Sequence, residues 1–412
     1  MDGRPPEPGF TDGSARALFN GRRARHPSRM ISFTAAELPW FWTLAFPSLV
    51  ALGMVLLNLA AWPRGRATGR IPGRVSVCIP ARNEGRRIVG CVAAVLAGGQ
   101  RPDEVLVYDD GSTDGTADVL EMLAAAEPTL RVVHGGELPG GWMGKPYACH
   151  RLAEEATGDV LVYLDAQTVA TPECLNRLGD VIQRHRADFV TASPWQITGT
   201  LTEQMVIPLL DLSYLCWLPL PLMWRVRWPW LRVANGQVMA VRREALERAG
   251  GWESVGAEVA SEVALCSRVK ASGGRAVYAD GMLMAGGRRF GSRQQLWRGL
   301  SRMLYHRGPG GLGVALSLVL YGFVLLGPYV GVVQAIRGYQ GLLFPSLIGV
   351  AANHLIRVAT ALRLRQSSNG ILLHPVGLLW MIAILLNSLR RNRAGILLWA
   401  GRKYTLSGVE PG

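Results

Sequence analysis

Charged residues are scarce in this 412-residue sequence: they make up 18% of it, where about 25% is usual for soluble globular proteins. Together with a hydrophobic fraction of 49%, this scarcity argues against a purely cytosolic enzyme and excludes a long disordered chain, which would be poor in apolar residues. Lysine is nearly absent and occurs only as Lys145, Lys270 and Lys403. Arginine therefore carries most of the positive charge behind the net charge of +14, a bias that indicates codon usage and requires no nucleic-acid partner.

Common signatures of metal and nucleotide binding are also missing. The six cysteines are scattered without a C-x-x-C pair, which argues against a zinc site or a disulfide framework and indicates reduced thiols facing the cytosol. No Walker pattern is present, and no G-x-G-x-x-G motif follows a predicted strand. Any nucleotide site must therefore be built from other elements.

Long apolar runs lie on both sides of a polar middle region. Residues 40–62 carry no charge and have tryptophan at each end, as expected for a helix that spans a bilayer of about 30 Å between two interfaces. Residues 311–336 form a second such run, whereas the runs 341–362 and 370–389 are weaker. Because proline, histidine and arginine interrupt the third run, it is compatible with a re-entrant segment or a buried core helix.

These runs divide the chain into five predicted parts. They are a disordered N-terminal segment (1–39), a transmembrane helix (40–62), an α/β domain (63–310) with an interfacial segment (204–232), a region with two or three further spans (311–389) and a basic tail (390–412). Four arginines follow the first span within residues 64–74, so the positive-inside rule places the α/β domain in the cytoplasm. We therefore expect a multi-pass protein of the inner (cytoplasmic) membrane. The arginines at 363–365 and 390–393 both favour the cytoplasmic side as well, which a single span between them cannot satisfy.

Strands and helices alternate in the first part of the middle region. Apolar β-rich runs indicate strands at 75–80, 104–108, 131–133 and 159–164, and the segments between them indicate helices at 84–96, from 115 onward and at 146–156. This order predicts an α/β domain with a mainly parallel sheet. In such a sheet, ligands bind beyond the carboxyl ends of the strands.

Three acidic residues stand at such strand ends. Asp109 and Asp110 follow the second strand, and Asp165 follows the fourth. One carboxylate there can accept hydrogen bonds from a base or ribose, and another can hold Mg²⁺ or Mn²⁺ against a diphosphate. Between them lies a glycine-rich loop at 140–145 that ends in Lys145 and suits a phosphate group. Taken singly, these residues are more often loop caps and an ordinary turn.

Three motifs together resemble family 2 glycosyltransferases of the GT-A fold. They are V-S-V-C-I-P-A-R-N-E at 75–84, V-Y-D-D-G-S-T-D-G-T at 107–116 and L-V-Y-L-D-A-Q-T at 161–168. The loop P-G-G-W-M-G-K-P-Y-A at 139–148 and the terminal W-A-G-R-K-Y at 399–404 resemble the membrane-bound branch that includes hopene-associated and carotenoid glycosyltransferases. The resemblance covers roughly residues 40–404. It implies a GT-A (Rossmann-like) cytoplasmic α/β domain joined to transmembrane helices.

The resemblance assigns the donor and metal sites by position. The residues it places around a UDP- or GDP-linked sugar are Ala81, Glu84, Asp109, Asp110, Lys145 and Asp165. Asp165 is the first acid of the family's D-x-D metal motif, but Gln167 replaces the second. A glutamine oxygen can bind Mg²⁺ or Mn²⁺ without contributing charge, so we expect a weaker metal site.

The resemblance also assigns a catalytic base. The E-D pair that supplies it in the family corresponds here to Ser261 and Glu262, which makes Glu262 the candidate. By spacing alone, Glu262 would be read as part of a solvated helix face. Gln295 and Arg298 match part of the family's Q-x-x-R-W motif, but Gly299 replaces the tryptophan, which weakens a polymer-synthase interpretation.

Tryptophan and arginine interleave in the interfacial segment. Trp224, Trp228 and Trp230 lie among three arginines of residues 225–232, which suits rings at headgroup depth and guanidinium groups on lipid phosphates. A core helix pair is about as compatible with the spacing. With Gln295 and Arg298, these tryptophans are the predicted acceptor side.

The sequence thus predicts an inverting glycosyltransferase that moves a sugar from a nucleotide-sugar donor to a hydroxyl of a membrane lipid, such as a hopanoid, a carotenoid or a glycerolipid. Two alternatives remain open at this point. One is a polysaccharide synthase of the same family. The other is a catalytically weak nucleotide-sugar-binding membrane protein, which Gln167 and Ser261 favour.

Overall fold

The computed structural model describes residues 3, 37–304, 312–393, 397–399, 402–405 and 408–411. The segment 1–39, predicted to be disordered, lies almost wholly outside the described residues, as does part of the predicted basic tail at 390–412. The described parts of that tail include three short antiparallel strands at Leu397–Trp399, Arg402–Thr405 and Gly408–Pro411.

A mixed sheet of eight strands organises the middle of the chain. In chain order, its strands β1 to β8 are Val75–Ala81, Glu104–Asp109, Leu130–His134, Val160–Leu164, Val169–Ala170, Phe189–Gln196, Val238–Arg242 and Ala276–Gly287. Their order across the sheet is β3-β2-β1-β4-β7-β6-β8-β5. β1 to β4 run parallel to one another, whereas β7 runs antiparallel to β4 and β6, and β5 antiparallel to β8.

The predicted fold class is confirmed by this architecture. The first four strands and the helices between them occur where the sequence predicted them, because apolar runs such as β1 and β4 bury nearly every side chain between covering helices. The second half differs from a purely parallel sheet. The chain reaches β7 after the long excursion of residues 197–237, and this strand then enters the sheet in the opposite direction.

In chain order, the helices α1 to α14 are Leu38–Ala61, Gly85–Leu96, Thr116–Ala126, Gly144–Glu155, Cys174–His185, Leu201–Leu215, Leu220–Met223, Arg243–Arg248, Ser261–Ala271, Arg293–Met303, Leu312–Ile336, Gln340–Leu364, Asn369–Leu372 and His374–Arg393. Helices α2 to α10 belong to the α/β domain. The remaining helices flank it in the sequence.

Strand register brings the candidate acids to one edge of the sheet. Ala81 at the end of β1 pairs with Asp109 at the end of β2, and β4 ends at Leu164, directly before Asp165. Because β1, β2 and β4 are parallel, their carboxyl ends face the same side, which is where ligands bind in open α/β sheets.

Three of the described helices are long and apolar enough to cross a membrane, namely α1, α11 and α12. They correspond to the predicted runs 40–62, 311–336 and 341–362. Helix α12 is continuous over 25 residues despite its polar interruptions, because Pro345 lies near its start and Arg357 is fully buried inside the protein.

The fourth apolar run, at 370–389, behaves differently from the expected span. Its helix α14 packs against α10 of the α/β domain, where Trp380 meets Trp297 edge to face with ring centroids 5.5 Å apart. Near the other end, Asn387 Nδ2 donates a hydrogen bond to Ser301 Oγ at 2.8 Å. Helix α14 therefore lies beside the α/β domain along its length.

This packing removes the conflict between the two arginine clusters. Arg363, in the last turn of α12, forms an ion pair with Asp280 of β8 at 2.8 Å, so the first cluster adjoins the α/β domain. The second cluster ends α14, which packs on the same domain. Both clusters can then lie on one side of the membrane without a span between them.

Trp62 also lies elsewhere than the sequence suggested. Predicted as an interfacial ring, it is 3% exposed and stacks on Tyr278 of β8 with ring centroids 5.6 Å apart. The end of the first apolar helix is thereby attached to the sheet.

Candidate active site

The carboxyl ends of β1, β2 and β4 open into a cavity of about 880 Å³, a size typical of sites for small molecules. Its walls come from the strand ends, the glycine-rich loop, the segment after α6 and helices α6, α9, α10 and α11. The predicted site residues that line it are Ala81, Glu84, Asp110, Lys145, Asp165, Gln167, Trp230 and Glu262. Asp109, Trp224, Trp228, Gln295 and Arg298 do not.

Lys145 lies at the centre of the polar part of this cavity. It occupies the first turn of α4, and its Nζ donates to Asp165 Oδ1 at 2.6 Å and to the carbonyl oxygen of Gly236 at 3.1 Å. The loop that precedes it is held in place by the backbone N–H of Met143, which donates to the Gly256 carbonyl at 2.7 Å. The loop thus presents Lys145 to the strand end.

The charge of Lys145 is stabilised by its neighbours. Burial alone would lower its pKa, but the carboxylates of Asp165 and Glu262 outweigh burial and hold the pKa of Lys145 above the usual lysine value. Lys145 therefore stays protonated at physiological pH and offers a fixed positive charge to an anionic ligand.

Gly236 is a close-approach position within this network. A Cβ at residue 236 would lie 2.6 Å from Lys145 Nζ and 3.1 Å from Glu262 Oε1. A side chain at this position would force the ends of Lys145 and Glu262 to shift. These two residues therefore meet at the backbone of Gly236, and Asp165 joins them through its ion pair with Lys145. The predicted base and the predicted phosphate-binding lysine are thus neighbours in the folded chain.

Asp109 and Asp110 have different surroundings. Asp109 Oδ1 accepts hydrogen bonds from the Ser112 backbone N–H at 3.2 Å and from the Ser112 hydroxyl, so this carboxylate holds the turn after β2. Asp110 lines the cavity, with Arg82 Nη1 3.7 Å from its Oδ2. The geometry favours Asp110 over Asp109 for contact with a ligand.

Glu84 borders the cavity near this turn. Burial raises the pKa of Glu84, and the neighbouring Arg87 opposes that shift. Its backbone N–H donates to Thr116 Oγ1 at 3.0 Å, which ties the start of α2 to α3.

Glu262 stands in the first turn of α9. Ser261, which replaces an acid of the family pattern, is 1% exposed and donates from its hydroxyl to Glu262 Oε2 at 3.4 Å. The hydroxyl thus lies beside the candidate base, at the long end of the hydrogen-bonding range. The helix start directs Glu262 into the cavity toward Lys145.

Asp165 and Gln167, the predicted metal ligands, both line the cavity. Within the part of the chain that the structure describes, no group of three or more His, Cys, Asp or Glu residues lies together as a metal centre. One carboxylate, shared with Lys145, and one neutral amide oxygen fit a hard cation that takes its remaining ligands from a diphosphate and water, as Mg²⁺ commonly does.

Comparison with known proteins identifies the family of the region that forms the strand ends. Residues 76–250, which contain the strand-end acids and the glycine-rich loop, match glycosyl transferase family 2. The chain carries a family 2 glycosyltransferase domain. For this part of the chain, the predicted family is confirmed.

Curated relatives of this glycosyltransferase domain differ in how far the similarity extends. The chain is 31% identical over 143 residues to glycosyltransferase AglD of Haloferax volcanii. The aligned part covers 32% of this chain and 22% of that protein. It is 33% identical over 98 residues to a 4,4'-diaponeurosporenoate glycosyltransferase of Staphylococcus haemolyticus. These residues make up 24% of this chain and 25% of that protein. It thus spans a quarter or less of these two relatives. Against the Staphylococcus aureus protein of the latter name, identity is 23% over 368 residues, 87% of this chain and 95% of the relative.

Solved glycosyltransferase structures are more distant. The mannosyltransferase PcManGT of Pyrobaculum calidifontis, in complex with GDP-mannose and Mn²⁺, is 18% identical, with a TM-score of 0.48 and coverage of 87% of this chain and 98% of that one. TarS of Staphylococcus aureus in complex with UDP is 13% identical, with a TM-score of 0.39 and coverage of 81% and 96%.

The predicted acceptor-side residues of the glycosyltransferase do not gather as expected. Trp230 lines the cavity and stacks on Trp228, with ring centroids 5.3 Å apart. Trp224 instead packs against His185, 5.5 Å between centroids. It thus serves the protein core, which is the alternative that the spacing had left open.

Gln295 and Arg298 lie on the exposed face of α10, away from the cavity. Gln295 Oε1 accepts from the Gly291 backbone N–H at 2.8 Å and so stabilises the start of that helix. At Gly299, a Cβ would come 2.5 Å from Phe290 Cε1. The ring of Phe290, which lines the cavity, fills the space that a larger side chain at 299 would need.

Sequence reasoning missed the loop at 235–237, which ends the excursion and leads into β7. Besides Gly236, this loop contributes Gln237, whose side chain is 1% exposed and lines the cavity. Gln237 Oε1 accepts from Gln196 Nε2 at 2.7 Å, and its own Nε2 has no hydrogen-bond partner among the described residues. The N-G-Q triplet before a strand was the available signal, but glycine in a loop is too common to be specific.

Proposed function

We propose that the enzyme transfers a sugar from a UDP- or GDP-linked donor to the hydroxyl group of a membrane lipid, with inversion at the anomeric carbon. One observation carries this proposal. The cavity that contains Asp165 and Glu262 continues to Leu312, Leu316 and Ser317 of α11, a helix long and apolar enough to cross a membrane. A water-soluble acceptor would gain nothing from that continuity.

The donor would occupy the strand-end side of the cavity. Asp110 is placed to accept hydrogen bonds from the base or ribose, beside Ala81 and Glu84. Lys145, whose positive charge is stabilised by two carboxylates, would offset the charge that develops on the leaving nucleoside diphosphate. Asp165 keeps Lys145 in position through their 2.6 Å ion pair.

Glu262 would act as the general base. As the acceptor oxygen attacks the anomeric carbon, its proton passes to the Glu262 carboxylate, and the bond between that carbon and the diphosphate oxygen breaks with both electrons on the diphosphate. Attack from the face opposite the leaving group gives inversion. A base must come within about 3 Å of the hydroxyl that it deprotonates, and the position of Glu262 in the cavity supports this role.

Asp165 and Gln167 would hold Mg²⁺ or Mn²⁺. A bound cation supplies charge that stabilises the diphosphate as a leaving group. The protein's own contribution is modest here, because Gln167 is neutral and Asp165 already pairs with Lys145. Lys145 therefore carries much of the electrostatic stabilisation within this proposal.

Two observations support a lipid as the acceptor, namely the part of the cavity wall formed by α11 and the names of the relatives. Carotenoid-type acceptors are suggested by the name of the diaponeurosporenoate glycosyltransferases, whose similarity to this chain extends over 87% of its length. A hopanoid or glycerolipid alcohol could reach the cavity beside α11 in the same way. The glycosyltransferase domain would then face the cytoplasm, where nucleotide sugars are found, with α1, α11 and α12 in the inner membrane.

Labelled-sugar transfer tests this proposal. Enzyme purified in nanodiscs of bacterial lipids would be incubated with tritiated UDP-glucose or GDP-mannose, and the products extracted into organic solvent. We expect label in the lipid fraction from one of the donors and its loss in Glu262→Gln, with the opposite anomeric configuration to the donor by NMR. Label confined to free sugar, or transferred equally well to a water-soluble alcohol, would contradict the lipid acceptor.

A further inference from the structure

Trp142 of the glycine-rich loop has no part in the proposed mechanism. It stands three residues before Lys145 and does not line the cavity. Glu262 reaches the cavity at the end of a second segment, residues 252–262, which is far from this loop in the sequence. Trp142 lies where the loop and the segment 252–262 meet.

The indole ring of Trp142 packs directly on the backbone of Gly256. A Cβ at residue 256 would lie 2.8 Å from Cε3 of this ring and 2.9 Å from its Cδ2. Gly256 has a φ of −58° and a ψ of −35°, a conformation open to any residue, so the ring and not the backbone requires glycine here. Next to this contact, the Met143 backbone N–H donates to the Gly256 carbonyl at 2.7 Å. One ring and one hydrogen bond thus join the loop to the segment 252–262.

The ring is itself held by α4, the helix whose first turn carries Lys145. Trp142 stacks on His150 with ring centroids 5.0 Å apart and meets Tyr147 edge to face at 5.4 Å. His150 Nε2 also lies 3.8 Å from Glu253 Oε1 of the segment 252–262. Trp142 is therefore fixed to the same helix as Lys145, and α4 contacts the opposite segment beside it.

The segment 252–262 is attached to the sheet as well. Trp252 Nε1 donates to Tyr163 Oη of β4 at 2.9 Å, and both side chains are buried. From Gly256 the chain continues directly to Glu262 in the first turn of α9. The position of the Gly256 backbone therefore governs where Glu262 enters the cavity.

Lys145 and Glu262 depend on this contact to different degrees. Lys145 has bonds of its own to Asp165 and to the Gly236 carbonyl, at 2.6 and 3.1 Å. Within the described part of the chain, the only hydrogen bond to the Glu262 carboxylate comes from the adjacent Ser261 hydroxyl at 3.4 Å. Loss of the contact should therefore leave the lysine in place and allow Glu262 to shift.

We infer that Trp142 is a positioning residue that, through Gly256, holds Glu262 at a fixed place relative to Lys145. This inference rests on the proposed function, in which Glu262 deprotonates the acceptor. Without the ring, the segment 252–262 moves relative to α4. A displacement of about 1 Å at a reacting centre can lower the rate by about 10².

A double-mutant cycle on sugar transfer to lipid tests the contact. Trp142→Ala should lower kcat by about tenfold to a hundredfold and leave the KM for the nucleotide sugar unchanged, because the bonds of Lys145 remain. Trp142→Phe keeps an aromatic ring beside Gly256 and should recover most of the loss. A tryptophan that served folding alone would lower the melting temperature without separating kcat from KM in this way.

Gly256→Ala supplies the other half of the cycle. In wild type its Cβ meets the indole ring and should lower kcat, whereas in Trp142→Ala the ring is gone and the added methyl group should lower kcat little further. Gly90→Ala is the matched control, because a Cβ there meets nothing within 4 Å, and it should keep wild-type activity. Effects of the two substitutions that simply multiply, an unchanged kcat in Trp142→Ala, or a loss confined to the donor KM would each overturn the inference.

Amide hydrogen exchange reads the same contact without reference to the acceptor. In the enzyme without nucleotide, the Met143 N–H should exchange about tenfold faster in Trp142→Ala than in wild type, because a loop opens more readily once its packing is removed. Peptides from the segment 252–262 should show the same change. Unchanged exchange in both places would overturn the inference. A wild type that transfers no sugar to lipid, with exchange altered as expected, would instead contradict the proposed function and leave the coupling of the two segments standing.

Discussion

The two ends of the cavity are built in different ways. The donor end uses residues that directly follow strands β1, β2 and β4, together with the glycine-rich loop before α4, so most of it comes from short motifs in the first half of the α/β domain. The acceptor end draws on α6, β8, α10, α11 and the turn after α12, which are scattered over residues 201–366. The residues of the donor end are close together in the sequence, whereas those of the acceptor end are far apart and meet only in the folded chain.

This difference predicts different consequences of substitution. At the donor end, Lys145 and Glu262 meet at Gly236 and Asp165 pairs with Lys145. In the proposed mechanism all three act on the same reacting atoms, so the loss of any one should lower turnover. At the acceptor end, each side chain would contribute a share of binding to the large apolar ligand that we propose. Substitutions there should raise the KM for the lipid and leave donor hydrolysis nearly unchanged.

The largest effect is expected at the charged residues of the donor end. Glu262→Gln keeps the shape of the side chain and removes its basicity, which should lower kcat by about 10²–10⁴ without weakening donor binding measured by calorimetry. Glu253→Gln is the control, because Glu253 is 71% exposed and does not line the cavity. Wild-type turnover in the Glu262 variant would assign the base to another residue.

Asp165→Asn should abolish transfer, because it removes both the ion-pair partner of Lys145 and the charged ligand for a cation. Transfer would be followed with saturating Mg²⁺ and again after chelation with EDTA. If the Asn variant were active, and wild type were unaffected by the chelator, the metal role assigned to Asp165 would be wrong.

A methyl group at Gly236 tests how tightly the donor end is packed. Gly236→Ala places a Cβ 2.6 Å from Lys145 Nζ, and a displacement of about 1 Å at a reacting centre can cost about 10² in rate. The same substitution at Gly140, where a Cβ would meet nothing within 4 Å, should be nearly neutral. Equal activity of the two alanine variants would show that Lys145 and Glu262 tolerate displacement.

Gln167→Asp should strengthen the proposed metal site. It restores a second charged ligand, so the Mg²⁺ concentration for half-maximal activity should fall by about tenfold. Titration of activity with Mg²⁺ after removal of metal measures this. An unchanged midpoint would place the cation away from residue 167.

The smallest effects are expected from the tryptophans. Trp230→Ala should raise the KM for the lipid by about three- to tenfold through loss of apolar contact, with donor hydrolysis preserved. Trp224→Ala should leave the lipid KM unchanged and instead lower the melting temperature, because that ring packs in the protein core. The reverse pattern would restore the role that the sequence had suggested for Trp224.

The donor end could be predicted from the sequence because its geometry follows from local rules. Apolar runs ended by Asp110 and Asp165 are readable as strands with acids at their carboxyl ends, and parallel pairing brings those ends together. The assignment of Glu262 as the candidate base came from the resemblance to a known family, because no local rule distinguishes it from a solvated glutamate.

The acceptor end could not be predicted in the same way. Whether Trp224 or Trp230 faces the cavity depends on how the excursion before β7 folds back, and periodicity does not determine that. Contacts such as the hydrogen bond from Tyr278 to Tyr214 join residues distant in sequence that no motif connects. In the same way, the apolar run 370–389 suggested a further span, and only the contacts of α14 with Trp297 and Ser301 place it beside the α/β domain.

The central claim is that donor and lipid meet in one cavity that the lipid enters beside α11. Leu316→Trp would narrow the cavity at that end, whereas Phe323→Trp on the same helix alters an exposed side chain outside the cavity lining. Lipid transfer and donor hydrolysis would be measured side by side for both variants in nanodiscs. The account predicts that Leu316→Trp lowers lipid transfer at least about tenfold with hydrolysis intact, while Phe323→Trp changes neither. Unchanged lipid transfer in Leu316→Trp would contradict it.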